Sequence, residues 1–220
     1  MQPYFFPYIG YWQLVNSVDN LVILDDVQYI KRGWINRNRI SVNNRDIWIT
    51  VPLVKSTLQS KINEKLITNY TTFRDDFRKS ILINYPNHNC DANILIDSIL
   101  LNGEKCLITF LINTIKAAMR YLNIKTKIYL SSQLNVNHEL KSENKILSLC
   151  KALDTDTYLN LPGGSKLYTK NNFLKQKIEL KFIKPNDSIL DDPKSLLQLA
   201  LTQSSESVRN MLNNFSFSNA

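Results

Sequence analysis

The chain has 220 residues, 44% of them apolar, and a net charge of +8: enough to bury a sizeable core as one large domain, with an anionic partner favoured. Its cysteines, Cys90, Cys106 and Cys150, are widely spaced with no CxxC, which argues against a disulfide framework or a zinc site and fits a reducing compartment. No basic-then-apolar leader opens the sequence, and its most apolar window, Cys106 to Leu122, is interrupted by Asn113, Lys116 and Arg120, so no membrane span and a cytoplasmic location are expected.

The opening, Gln2-Pro-Tyr-Phe-Phe-Pro-Tyr-Ile-Gly-Tyr-Trp12, is a proline-constrained aromatic loop feeding a helix predicted over Tyr8–Ser17. Leu21–Leu24 is a short apolar run without alternation, as in a buried strand, and Asp25-Asp26 follow at its end. Residues 27–46, rich in Arg and Asn, show no clear period and are expected to form an ordered loop. Ile47–Leu53 is predicted to be a strand, with Pro52 marking a sheet edge. Apolar positions at Phe73, Phe77, Ile81 and Ile83 predict a helix over 70–84 that ends before Pro86.

Glu104–Leu122 carries the widest apolar stripe, with Asn123 as its stop signal. Then come a strand at Lys127–Leu130 ending in Ser131-Ser132, a helix over Glu143–Leu153 capped by Ser142, and a strand at Thr157–Leu161 ending in Pro162-Gly163-Gly164. A helix over Lys170–Gln176, a strand at Ile178–Ile183 and one amphipathic helix over Ser195–Leu212 complete the chain. Repeated strand–helix–strand order predicts an α/β fold, Rossmann-like, with a largely parallel sheet flanked by helices. Residues 1–186 would form that α/β domain, with 187–220 a helical extension packed on it.

Strand ends on one side of such a sheet are where ligands bind. Asp25 and Asp26 can hold magnesium, a ribose hydroxyl or a substrate amine; adjacent carboxylates point apart, so at most one is expected to act, and the plain alternative is a loop cap or a pair with Arg32. Lys31, Arg32, Arg37 and Arg39, interleaved with Trp34, Asn36 and Asn38, make a compact cluster suited to a diphosphate. It is too short for a duplex footprint, so nucleic acid is disfavoured. Gly163, Gly164 and Lys166 can offer donors to a phosphate or an oxyanion, or can simply form a tight turn; the P-loop spacing is absent. His138 is a candidate base, and Cys150, on an apolar helix face, is expected in the core.

At these residues the chain resembles the WbqC-like protein family: the Gln2–Trp12 segment, Asp25-Asp-Val-Gln-Tyr-Ile-Lys-Arg-Gly-Trp-Ile-Asn-Arg-Asn-Arg-Ile40, Thr50-Val-Pro-Leu53, and Tyr158-Leu-Asn-Leu-Pro-Gly-Gly164 with Leu167-Tyr168. Family members carry a few apolar residues ahead of the Gln-Pro, so the resemblance implies a first strand there. The family occurs mainly in bacterial gene clusters for O-antigen and other surface polysaccharides. The resemblance therefore implies a step in modifying a nucleotide-linked amino sugar.

A fainter likeness places Tyr8-Ile-Gly-Tyr11 where nucleotidyl-transfer folds carry HxGH, with both histidines replaced by tyrosine. The pantothenate synthetases of that superfamily join an acid to an amine through an acyl-adenylate. Together these imply an amide-forming acyl or aminoacyl transfer to the sugar amine, with ATP and magnesium or an acyl thioester on a carrier protein as the donor system, and no prosthetic group. Gln2, Tyr4, Tyr8, Tyr11, Trp34 and Tyr168 would contact base or sugar, the basic cluster the phosphates, Ser131 and Ser132 the substrate, and Asp25, Asp26 or His138 the reacting amine. A non-catalytic sugar-nucleotide or protein-binding scaffold is the alternative.

Overall fold

A computed structural model of the protein describes residues 1–219. In chain order the elements are α1 (Ile9–Asn16), β1 (Asn20–Ile23), β2 (Arg37–Val42), β3 (Arg45–Thr50), α2 (Tyr70–Asn84), α3 (Asn93–Leu100), α4 (Leu107–Leu122), β4 (Lys127–Leu130), α5 (Ser142–Ala152), β5 (Thr157–Asn160), α6 (Lys170–Lys175), β6 (Glu179–Pro185), α7 (Asp187–Asp191), α8 (Leu196–Thr202), α9 (Ser205–Asn210) and β7 (Phe215–Asn219). The fold is mixed α/β with small sheets and no closed barrel. β1 pairs with β4 in parallel, β2 with β3 antiparallel, and β6 lies between β5, parallel to it, and β7, antiparallel. The single, largely parallel sheet expected from the strand–helix–strand order is thus divided, among the described residues, into two separate parallel pairs. No described helix is long and apolar enough to cross a membrane.

α4 forms where its stripe predicts: Leu107, Phe110, Leu111, Ile115, Ala118 and Leu122 are buried, and Asn123 closes the helix in the left-handed region (φ 59°), its N–H bonded to the last turn. Around it packs the main core, which includes Phe5, Trp12, Ile23, Ile99 and Leu196. Each such side chain, fully buried, stabilises the fold by about 1.5–3 kcal/mol. A second cluster, Leu149, Cys150, Phe173, Leu180 and Phe182, joins α5 and α6 to β5 and β6 and places Cys150 in the interior as expected.

Three expectations are corrected. Residues 27–46 are only partly loop, because Arg37–Val42 is a strand that turns into β3 through Asn43-Asn44. Both asparagines have positive φ (50° and 58°), the requirement of a two-residue hairpin turn that matches strand twist. The single terminal helix is broken at Gln203, which is extended; Ser204 then caps a new helix by accepting from Ser207 N–H (3.2 Å), and the chain ends in a strand, not a helix. Ser142 does not cap α5 from outside but is its first residue, with no side-chain cap at Lys141.

Gly10 lies at the start of α1, where a Cβ would stand 2.4 Å from the Tyr8 ring and 2.8 Å from Pro185 at the end of β6. The motif glycine thus lets α1 seat against both. Gly10→Ala should cost about 1–3 kcal/mol, read as a lower urea midpoint at unchanged slope. An unchanged midpoint would show that this approach constrains nothing.

Candidate active site

The parallel register sets Ile23 opposite Leu130, so the residues after β1 and after β4 emerge side by side. Asp25 and Asp26 leave one strand and Ser131-Ser132 the other, and both carboxylates are buried there. The Ser131 hydroxyl stands between them, 2.5 Å from Asp26 Oδ1 and 3.0 Å from Asp25 Oδ1, its one proton serving one carboxylate at a time.

The two carboxylates have different surroundings. Asp25 accepts from Ser132 N–H (2.9 Å), Ser132 Oγ (2.6 Å) and Asn63 Nδ2 (3.3 Å), while its own carbonyl accepts from Asn63 N–H (2.9 Å). Every partner is a protein group, so Asp25 ties together the turns after β1 and β4 and the turn at Ile62–Glu64. Asp26 instead meets ionisable groups: Oδ2 accepts from Lys145 Nζ (2.6 Å) and lies 3.0 Å from His138 Nδ1. Burial raises the Asp26 pKa, but the bonds from Lys145, Ser131 and His138 and the Lys145 charge outweigh it and hold the group below the usual carboxylate range.

His138 is the one partly open member, its side chain 38% exposed against 6% for Lys145 and 5% for Asp26. With Asp26 ionised, Nδ1 carries the proton and donates it to Oδ2, so the lone pair of the neutral imidazole sits on Nε2, which has no hydrogen-bond partner among the described residues. The arrangement can therefore take a proton from a group presented at Nε2. It does not suit a metal ion: the carboxylate oxygens are occupied by protein donors, an ammonium stands 2.6 Å from one of them, and no group of three or more potential ligands occurs among the described residues.

Of the expected site residues, Asp25, Asp26, Ser131, Ser132 and His138 come together here, and the sequence reading missed Lys145 and Asn63. Lys145 had a signal, lying beside Ile146 on the helix side that turns inward; Asn63, in a three-residue turn, had none. The basic cluster gathers separately on the β2–β3 hairpin. Arg37 lies over Trp48 (4.2 Å) and donates to Gly33 C=O (3.3 Å) and Arg32 C=O, and Arg39 pairs with Asp46 (2.5 Å) and lies 5.7 Å from Trp34. The Trp34 and Trp48 rings lie 5.5 Å apart, tilted by 31°, and are 43% and 46% exposed. Lys31 and Arg32 are exposed and unpaired among the described residues. Two of the four expected phosphate ligands are thus engaged within the protein.

Several expected contacts are structural. Asn36 accepts from Tyr29 Oη (2.7 Å) and donates to Val51 C=O (2.7 Å), and Asn38 donates to Phe5 and Phe6 C=O (2.9 and 2.8 Å), both from buried positions. Tyr11 is wholly buried, donates to Gln2 C=O (3.2 Å) and meets Tyr4 at 6.0 Å, so it cannot stack on a ligand; Tyr4 and Tyr8 stay half-buried. Gly164 N–H is spent on Leu161 C=O (2.9 Å), and a Cβ there would strike Asn160 at 2.5 Å; Gly163 is open and Lys166 exposed. Tyr168 belongs to a ring cluster with Tyr158 and Phe173 (5.5 and 5.7 Å).

Asp26 makes stability depend on acid. With its folded pKa below the unfolded value of about 3.9, its contribution is complete above that range and is lost as pH falls through the folded value. Lys145→Met should fold and raise the Asp26 pKa, seen in its carboxyl carbon shift. Lys145→Ala should cost about 3–5 kcal/mol, since it removes the lysine stem's packing together with the ammonium that pairs the buried carboxylate. An Asp26 titration unmoved in Lys145→Met would overturn this account of the pair.

The sequence model of the WbqC-like protein family matches residues 2–190, and the chain belongs to that family. It is also similar to the uncharacterized protein Rv1507c of Mycobacterium tuberculosis (strain ATCC 25618 / H37Rv), 47% identical over 68 residues. That stretch is 30% of this chain and 29% of the relative, so the match spans under a third of the relative's length. No solved structure matches.

Proposed function

We propose that this WbqC-like protein forms an amide, transferring a small acyl or aminoacyl group to the amine of a nucleotide-linked amino sugar in surface-polysaccharide synthesis. The observation that carries the reading is the Asp26–His138 bond, which occupies Nδ1 and leaves Nε2 of a partly exposed imidazole to act as a base. An amine attacks an acyl carbon only through its neutral lone pair, and the nitrogen must shed a proton as the amide forms. His138 takes that proton at Nε2. Asp26 fixes its tautomer and offsets the imidazolium charge, and Lys145 holds Asp26 ionised. The new C–N bond replaces the bond from the acyl carbon to its leaving group, a thiolate from a thioester donor or AMP from an acyl-adenylate. The proton transfer is common to both.

Lys31 and Arg32, exposed and next to Trp34 in the chain, would hold the diphosphate, while Arg37 and Arg39 brace the Trp34–Trp48 pair. With this goes the finer reading of the fold, a Rossmann-like sheet of nucleotidyl-transfer kind. It is supported by two parallel strand pairs, one ending in the Asp26 cluster and the other in Gly163-Gly164. The exposed tryptophans also favour a second reading, a binding scaffold without turnover.

His138→Gln and wild type are compared for amide product by mass spectrometry, with dTDP- and UDP-linked amino sugars as acceptors and either an acyl thioester or a carboxylic acid with ATP as donor. The variant should lose about 10²–10⁴-fold in rate with unchanged sugar-nucleotide binding. Equal rates would remove His138 as the base; binding without product from wild type would establish the scaffold reading.

A further inference from the structure

Six of the chain's eight net positive charges fall between residues 27 and 66, where eight Lys and Arg are set against only Asp46 and Glu64. Both acids are already engaged, Asp46 by Arg39 (2.5 Å) and Glu64 by the N–H of Lys61 (2.8 Å). Lys31, Arg32, Arg45 and Lys55 are exposed and have no side-chain partner among the described residues. Large apolar side chains are open along the same stretch. Leu58 is 71% exposed and Ile30 54%, alongside Trp34 and Trp48.

Hydrogen bonds draw these residues into one surface. β2 turns Asn38 and Ile40 into the core, so alternation puts Arg37, Arg39 and the cross-strand Trp48 on the outward face. Ser195 Oγ donates to Arg39 C=O (2.9 Å) and Ser41 N–H donates to Gln198 Oε1 (2.6 Å), which fixes the far edge of β2 to the body. On the other side, Arg37 donates to the carbonyls of Arg32 and Gly33, and Gly33 N–H donates to Ile30 C=O (3.3 Å). Tyr29 N–H donates to Ser60 C=O (3.0 Å), and Gln28 Nε2 donates to Leu58 C=O (2.7 Å). The turns carrying Ile30 and Leu58 are thus tied to each other and to the Trp34–Trp48 pair.

We propose that this face seats the protein on an anionic lipid surface. Tryptophan rings settle at the headgroup level, apolar body inward and N–H toward water. The aliphatic tips enter the boundary below them, and the unpaired cations meet lipid phosphates. Each such Lys or Arg strengthens binding by about fivefold. Single-stranded nucleic acid also stacks on exposed tryptophans beside cations. Ile30 and Leu58 decide between the two, because an aliphatic side chain offers a nucleic acid neither charge nor a π-face. They stand on turns with cations between them, a pattern that suits shallow insertion into a bilayer. The proposal does not rest on the amide-forming reading: Lys31 and Arg32 meet phosphate in either setting, whereas Ile30, Arg45, Lys55 and Leu58 have no part in that reading.

The test sediments the full chain with vesicles of equal parts phosphatidylcholine and phosphatidylglycerol, and with pure phosphatidylcholine. The anionic vesicles should bind about tenfold or more tightly, less so in high salt. Emission from Trp34 and Trp48 should shift to the blue on binding, while Trp12, already wholly buried, stays constant. Arg45→Gln with Lys55→Gln should weaken binding about tenfold or more, and Ile30→Ser with Leu58→Ser by a similar factor. All four positions are exposed, so both double variants should keep the wild-type thermal midpoint. Equal affinity for the two vesicles would overturn the proposal, as would binding indifferent to the Ile30 and Leu58 changes. Tight binding of a single-stranded RNA oligomer without vesicle binding would assign the face to nucleic acid instead.

Discussion

The carboxylate cluster depends on one buried ion pair, Asp26 with Lys145, their charged atoms 2.6 Å apart and both side chains almost wholly enclosed. Either charge alone at this depth costs several kcal/mol, and their attraction offsets that only if the remaining lone pairs and protons find partners. Ser131 and His138 supply those partners, so the end of β1, the end of β4, the loop before α5 and α5 itself are held by one carboxylate. Well-packed apolar residues would serve stability as well. What only the ionised pair provides is a fixed acceptor that dictates which nitrogen of His138 carries the proton.

Adjacent in sequence, Asp25 and Asp26 divide the labour by environment. Asp25 accepts only from neutral donors, two of them backbone or hydroxyl groups of Ser132, and acts as a knot between turns. Asp26 touches an ammonium and an imidazole, the groups through which charge and protons move. The chain turns here, the Asp25 N–H bonding to Ile23 C=O, so the two carboxylates do not point fully apart as expected. Both reach the Ser131 hydroxyl, while Asp25 also meets Ser132 and Asn63 and Asp26 also meets His138 and Lys145 of α5. The hairpin shows the same economy. Arg37 and Arg39 look like phosphate ligands in sequence, yet on a strand their spacing of two sets both on the face of Trp34 and Trp48, where stacking and Asp46 engage them.

Elements with a clear apolar signal were legible in the sequence: α2, α4, β1 and β4 fall where their apolar residues put them, most plainly α4, whose buried face runs the length of the helix. The β2–β3 hairpin was not, since Arg37–Val42 alternates polar Asn38 with apolar Ile40 on its inner face and so hides the period of two. Its signal was instead the Asn43-Asn44 turn. The final helix was overread because Ser204 caps a fresh helix inside what reads as one stripe. In the site, Asp26 and Ser131 were legible as polar groups at strand ends, and His138 as a candidate base in a polar loop. That Asp26 rather than Asp25 meets the ionisable groups was not, because the choice rests on contacts 112 and 119 residues apart.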